Sequence, residues 1–219
     1  MDKLQSFYEQ YSLLKDKLKE NFNDFSADLL QYGLTEEYYN KVNNATEQLC
    51  NFYNLKLNNS TIHNALSYRL NDGHSDNVKV CLLVDVIRCY EGLSHPTTFT
   101  TPEGIALMIL LDKLIGNREI QSYAKLKGVS SPTLSLIDII PYISECSESL
   151  GSKYSLYLPT ILAKKSPENE HLYRRLIYHL CKSIAEVDGV ISIAEEDWLN
   201  EIALLNDDIP DNDVNLDGL

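Results

Sequence analysis

The sequence predicts an all-α fold, a multi-helix bundle, on three observations. Apolar residues recur three or four positions apart along most of the 219-residue chain, as the buried face of an amphipathic helix requires. The chain holds nine Gly and seven Pro, fewer than a turn-rich all-β fold of this length needs. No segment shows a convincing alternation of apolar and polar residues, which would indicate a half-buried strand. With 44% hydrophobic residues, the chain can bury a large core.

The N-terminal part of the chain, residues 1–75, is predicted to be a helical section. Its first helix, over residues 2–21, is expected to face the core, because its apolar pattern spans only about two heptads and a dimeric coiled coil needs more. A second helix is expected after Thr35 and a shorter one after Thr61. The segment NDGHSDN at 71–77 has the composition of a loop. The apolar positions of the first helix are Leu4, Phe7, Tyr11, Leu14 and Leu18.

The second predicted section, residues 76–207, begins with two strongly apolar helices. The first of them is expected to end at Gly92 and the second to stop at Gly116. We predict Thr101 as the N-cap of the second helix, with Pro102 at its first helical position. A short amphipathic helix, NREIQSYAKLKG, is expected to follow.

Proline positions divide the next part of the chain. The dipeptide SP at 131–132 opens a helix that Pro141 is expected to kink or split, because proline lacks a backbone N–H. Pro159 argues for two pieces in the segment SLYLPTILAKK, and SPE at 166–168 marks a helix start. Two amphipathic helices complete the section. The acidic tail, residues 208–219, is predicted to be a disordered segment or a linker.

The turn between the last two helices, AEVDGVISIAEEDWL at 185–199, carries the local hint of function. Gly189 is predicted to end the preceding helix in the left-handed conformation. Ser192 and Glu195 fit a capping box, in which the serine hydroxyl accepts from the Glu195 amide and the glutamate carboxylate accepts from the Ser192 amide. These three residues therefore have structural roles.

Glu186 and Asp188 have no such explanation in the sequence. They lie at the negative end of the preceding helix, where carboxylates are unfavourable. Their repulsion needs relief from solvent, from a bound cation, or from a basic group elsewhere in the fold, such as Arg174, Arg175 or Lys182. Five carboxylates fall within twelve residues, with no Lys or Arg among them: Glu186, Asp188, Glu195, Glu196 and Asp197.

A calcium loop is one candidate source of this relief. An EF-hand loop places acids at positions 1, 3 and 5, Gly at 6 and Glu at 12. With Gly189 at position 6, Glu186 and Asp188 fall at positions 3 and 5 and Glu195 at position 12, whereas Ile184 stands where the first carboxylate belongs. Such a loop would bind a divalent cation such as calcium weakly, or with help from another segment, or not at all. The candidate metal ligands are Glu186, Asp188, Glu195 and Glu196.

The same residues resemble a known family. The stretch IAEVDGVISIAEE, between two apolar helices, resembles the signature of TerB-like domains, all-α domains first recognised in tellurite-resistance operons. Asp188, Gly189, Ser192 and Glu195 match its A-x-x-DG turn, which is followed by Ser or Thr and then Glu. The match lies mainly over residues 172–205. The resemblance implies two helical hairpins related as internal repeats, whose acidic residues form a metal-associated surface.

The resemblance also predicts a second copy of the hairpin. The candidate is EG at 91–92, followed by TPE at 101–103, with an apolar helix on each side. This copy is degenerate, since Glu91 stands where the family has Asp. Twelve residues separate Glu91 from Glu103, against seven between the matching acids of the other copy. Residues 1–75 lie outside the resemblance.

Charge, apolar runs and cysteine content limit the possible binding partners and the cellular location of the protein. The chain has 19 basic and 32 acidic residues and a net charge of −13, which disfavours nucleic acid and suits cations or basic protein surfaces. The longest apolar run, near Ile105 to Leu111, is too short to cross a bilayer, so no membrane insertion is expected. The odd number of cysteines and the absence of CxxC indicate reduced, mostly buried thiols and a cytoplasmic location. The cysteines are Cys50, Cys81, Cys89, Cys146 and Cys181.

The sequence thus predicts a non-enzymatic TerB-like binding or regulatory module that presents an acidic turn to a divalent cation or a basic partner. By resemblance, such domains occur alone in stress operons and as appendages of larger proteins, including ATPases. A protein partner or a fused C-terminal domain is therefore expected, and the chain is consistent with the N-terminal part of a stress- or defence-related protein. The alternative is a purely structural oligomerisation or scaffold domain without a metal site, and the oligomeric state stays open. An enzyme using Asp188 and Glu195 to hold a metal is disfavoured, because no base or nucleophile accompanies them.

Overall fold

The computed structural model describes residues 2–20, 30–58, 62, 77–93, 100–130, 134–149 and 156–204. Within these residues it contains nine α-helices and no strand, which confirms the all-α prediction. A π-helical segment, Tyr53–Leu57, continues the second helix. The helices are α1 (Asp2–Glu20), α2 (Glu36–Phe52), α3 (Asn77–Leu93), α4 (Thr101–Leu114), α5 (Asn117–Lys127), α6 (Leu136–Ser149), α7 (Leu158–Lys165), α8 (Pro167–Ala185) and α9 (Ile193–Leu204).

The most deeply buried helices are α3 and α4. Every residue from 78 to 89 and from 102 to 111 is buried, as expected for helices that are apolar around most of their circumference. Around them, α8 packs on α2, α7, α9 and both buried helices, while α1 packs on α4 and α6. A single hydrophobic core includes residues from all nine helices, so α1 and α2 of the predicted N-terminal section share their core with residues 76–207.

Several helix starts follow the sequence signals. Thr35 caps α2, since its hydroxyl oxygen accepts from the Tyr38 amide at 3.4 Å. Pro167 occupies the first turn of α8, as predicted. Three other predictions lie outside the described residues: the helix after Thr61 beyond Ile62, most of the loop at 71–77, and the tail at 208–219.

Neither internal proline divides the helix that contains it. α6 continues from Leu136 through Pro141, so the expected split is absent, while a kink there stays a prediction. Pro141 lies on the exposed side of α6. Pro159 lies in the first turn of α7, where the amide that proline lacks would have no partner within the helix.

A buried acid ties α3 to the start of α7. The carboxylate of Asp85 accepts from the Tyr157 amide at 2.5 Å, from the Leu158 amide at 2.9 Å and from the Tyr173 hydroxyl at 3.0 Å. Burial raises the pKa of Asp85 to about 6, while these hydrogen bonds and the nearby Arg88 act in the opposite direction. Asp85 therefore caps a helix from a distant part of the chain and also anchors α8 through Tyr173.

Most of the cysteines are buried in the core, as predicted. None of the five cysteines, all of which lie in the described residues, forms a disulfide; Cys50 is half-buried and the other four are buried. Cys89 of α3 and Cys181 of α8 are hydrogen-bonded to each other inside the core.

Among the described residues, no helix combines the length and hydropathy needed to cross a membrane.

Candidate functional site

The candidate site is the acidic turn, residues 186–197, which joins α8 to α9. α8 ends at Ala185, and its last turn is closed by bonds from the Glu186 amide to the Lys182 carbonyl and from the Val187 amide to the Ile184 carbonyl. Gly189 has the predicted left-handed conformation, with φ of +83°. Residues 186–188 stand in turn conformation between the helix and this glycine, so Gly189 closes the turn and does not directly follow α8.

The capping box predicted for α9 is present. The Ser192 amide donates to the Glu195 carboxylate at 2.7 Å, and the Glu195 amide donates to the Ser192 hydroxyl oxygen at 3.3 Å. These two bonds satisfy amides at the helix start that have no partner within the helix. The acidic turn therefore has a fixed conformation where it enters α9.

The two acids that the sequence left unexplained have separate local partners. The Glu186 carboxylate forms ion pairs with Lys182, at 3.9 Å, and with Lys41 of α2, at 3.7 Å. Lys182 was one of the basic groups the sequence offered for this role, whereas Lys41 was not identified. Arg174, another of those groups, pairs with Glu170. The two lysine side chains thus offset the negative charge of Glu186 at the helix end, and no metal ion is needed for this.

Asp188 is held within the turn itself. Its carboxylate accepts from the Val190 amide at 2.9 Å, which is the local bond typical of an Asx turn. Val187, beside it, is fully buried, and a Cβ on Gly189 would lie 3.9 Å from the Tyr38 hydroxyl. The turn is therefore anchored in the core by one residue and lies against α2.

A second capping box begins α4. The Thr100 amide and hydroxyl both donate to the Glu103 carboxyl, at 2.5 and 2.8 Å, so Thr100 is the N-cap. The prediction of Thr101 as the N-cap is wrong by one residue, and Pro102 stands at the second helical position. The start of α4 has the same S/T-x-x-E spacing as the start of α9.

The two capping boxes meet inside the protein. The carboxyl groups of Glu103 and Glu195 are hydrogen-bonded to each other, and the two residues are only 3% and 4% exposed. Burial and the contact with Glu195 together raise the pKa of Glu103 to about 8, although the two Thr100 donors act in the opposite direction. At neutral pH Glu103 therefore keeps its proton and can donate it to the Glu195 carboxyl group. The box of Ser192 and Glu195 was predicted from the sequence, whereas the contact between the two glutamates was not.

The glycine of the degenerate copy has a packing role. Gly92 is the penultimate residue of α3, not the residue that ends it, and it does not take the positive φ seen at Gly189. A Cβ on Gly92 would lie 2.3 Å from the Trp198 ring of α9, so only glycine leaves room for the indole. The helices that flank the two predicted copies are thus in direct contact.

The four predicted metal ligands are distributed over different surroundings. Glu186 faces two lysines, Asp188 bonds within its own turn, Glu195 is buried against Glu103, and Glu196 is exposed. Nowhere in the described ranges do three or more His, Cys, Asp or Glu side chains come together in a group that could hold a metal ion. Metal binding by these residues stays a prediction.

Comparison of this chain with protein-family models, with curated proteins and with solved structures gave no match. The resemblance to TerB-like domains therefore rests on the sequence of the acidic turn alone and stays a prediction.

Proposed function

We propose that this chain is a non-catalytic binding module that uses the acidic turn to contact a basic surface of a partner protein. The proposal rests mainly on the distribution of paired and unpaired acids in the turn. Lys41 and Lys182 offset the charge of Glu186. Glu196 and Asp197 are exposed, and no ion pair involves either of them within the described part of the chain.

The shape of the turn supports the same function. Two hydrogen bonds of the capping box and the bond from Val190 to Asp188 hold its backbone, so a partner meets a preformed surface. A preformed surface loses less conformational entropy on binding than a flexible loop does. The net charge of −13 would also steer basic partners towards the protein.

The relation of this chain to TerB-like domains is part of the same proposal. The match of Asp188, Gly189, Ser192 and Glu195 to the TerB-like signature supports a regulatory module of that type. Attachment to a larger stress- or defence-related protein, such as an ATPase, follows from this resemblance alone.

The test is the binding of a fluorescent lysine-rich peptide, measured by anisotropy at low and at physiological salt. We expect the double variant Glu196→Gln/Asp197→Asn to bind more weakly than the unchanged protein. The matched control is Glu9→Gln/Glu36→Gln, which removes the same charge from exposed positions on α1 and α2. Equal loss of binding in the two variants would mean that net charge alone attracts the peptide, and the proposal would then fail.

A further inference from the structure

The acidic turn also carries the densest run of exposed apolar side chains along the described part of the chain. Seven large hydrophobic side chains are exposed in those ranges, and three of them fall within four consecutive positions. These three are Val190, 66% exposed, Ile191, 40% exposed, and Ile193, 80% exposed, and we name them the apolar ridge. The other four are isolated on separate elements: Leu13, Leu30, Leu55 and Val129.

The apolar ridge is held in place by the bonds that fix the turn. Val190 follows Gly189 and donates its amide to Asp188, and Ile193 opens α9 directly after the capping residue Ser192. Single exposed apolar residues are common on protein surfaces, whereas contiguous exposed patches mark interaction sites. A rigid turn with three neighbouring exposed apolar side chains fits a docking surface.

Acids that form no ion pair within the described residues flank the apolar ridge along the chain. Ile193 lies three and four positions before Glu196 and Asp197, so the three side chains share one face of α9. Asp188 lies on the other side of the ridge along the chain. An occupant must therefore bring apolar side chains to the centre and positive charge to the edges.

Charge distinguishes between the chain segments or proteins that could cover the apolar ridge. A second copy of this chain would place Glu196 and Asp197 against their own counterparts, and like charges oppose that contact. The chain's own segment 205–219 holds five Asp and no Lys or Arg, so it has the same sign as the turn. A basic amphipathic helix has the required pattern, with apolar residues on one face and Lys or Arg beside them.

We propose that the apolar ridge and its flanking acids form a docking surface for a basic amphipathic helix of a partner protein. This inference rests on the proposed function and adds the apolar contact and the helical class of partner. It predicts that leucines of the partner cover Val190 and Ile193 while its lysines or arginines reach Glu196 and Asp197.

The experiment uses the full chain and three labelled 18-residue peptides in anisotropy titrations. The first peptide contains only Leu and Lys, with Leu at helical spacing on one face. The second has the same composition in an order that removes the apolar face. In the third, Gln replaces every Leu, which keeps the charge and the helix propensity.

Two protein variants locate the binding site. The ridge variant is Val190→Thr/Ile193→Gln, and its matched control is Val129→Thr/Leu13→Gln, which makes similar changes at exposed positions elsewhere. We expect the amphipathic peptide to bind at least five-fold more tightly than either other peptide. The ridge variant should weaken that binding at least five-fold, and the control variant less than two-fold.

The possible failures separate the two proposals. If the Gln peptide binds as tightly as the amphipathic one and only the variant of Glu196 and Asp197 weakens it, the proposed function stands and the apolar docking surface is refuted. If no peptide responds to either set of substitutions, both proposals fail. If light scattering shows a dimer that the ridge variant dissociates, the occupant is a second copy and this inference is wrong. Unchanged melting temperatures of both variants establish that they fold.

Discussion

Replacing Glu103 by Gln should stabilise the protein at alkaline pH. Glu103 and Glu195 are buried in contact, and burial together with this contact raises the pKa of Glu103 to about 8. Glutamine keeps an oxygen that can accept from the Thr100 amide and hydroxyl, and it gains an NH₂ group that can donate to Glu195. The substitution therefore removes the ionisable group and keeps the capping geometry.

The sign and size of the effect follow from the pKa. The folded protein holds a proton on Glu103 up to about pH 8, whereas the unfolded chain loses it near the ordinary value of 4.5. The folded state thus binds more protons between these values, and the free energy of unfolding falls as pH rises through that window. At about 1.4 kcal/mol per pKa unit, the full difference corresponds to about 5 kcal/mol as an upper bound.

The assay is urea denaturation followed by circular dichroism at pH 5, 7 and 9. We expect the Glu103→Gln variant to match the unchanged protein near pH 5 and to exceed it by at least about 1 kcal/mol at pH 9. Glu36→Gln, the same change at an exposed position, is the control. If the stabilities of Glu103→Gln and the unchanged protein fall in parallel with pH, Glu103 does not keep its proton in the folded protein and the geometry argued here is wrong.

Three further predictions concern the core and the predicted metal site. Asp85→Ala leaves three buried donors without an acceptor and should lower the free energy of unfolding by about 3 kcal/mol in urea titrations; a loss below about 1 kcal/mol would contradict the buried cap. Gly92→Ala forces a methyl group against Trp198 and should cost about 1–3 kcal/mol while shifting the tryptophan emission; an unchanged spectrum would contradict the contact. If the predicted metal site binds calcium, millimolar calcium should raise the melting temperature, and the double variant Asp188→Asn/Glu195→Gln should abolish the rise, because it removes two of the predicted carboxylate ligands. An unchanged melting temperature would refute the metal site.

Local sequence signals predicted the starts of α2, α8 and α9, whereas the opening of α6 predicted at SP 131–132 is wrong, since α6 begins at Leu136. The capping boxes depend on residues three apart in the chain, so the roles of Ser192 and Glu195 were readable without a fold. The N-cap of α4 was misplaced by one residue because Thr100 and Thr101 are both threonines, and either hydroxyl group can cap a helix. The uninterrupted path of α6 through Pro141 was missed, because the cost of proline depends on which face of the helix is exposed.

The sequence pattern did not predict contacts between helices that lie far apart in the chain. The pairing of Glu186 with Lys41 joins residues that are far apart in the chain, and periodicity does not say which helices become neighbours. The contact of Glu103 with Glu195 depends in the same way on how α4 and α9 are placed. Both helix starts have the S/T-x-x-E spacing, but that spacing alone does not show that they are neighbours.

We propose that partners contact the acidic turn with its apolar ridge, and this can be tested by titrating the ¹⁵N-labelled protein with the basic amphipathic peptide and following the backbone amide chemical shifts. We expect the largest changes within residues 186–197 and on neighbouring amides of α2 around Tyr38. Changes that are largest on other helices, or spread evenly over the acidic surface, would contradict it.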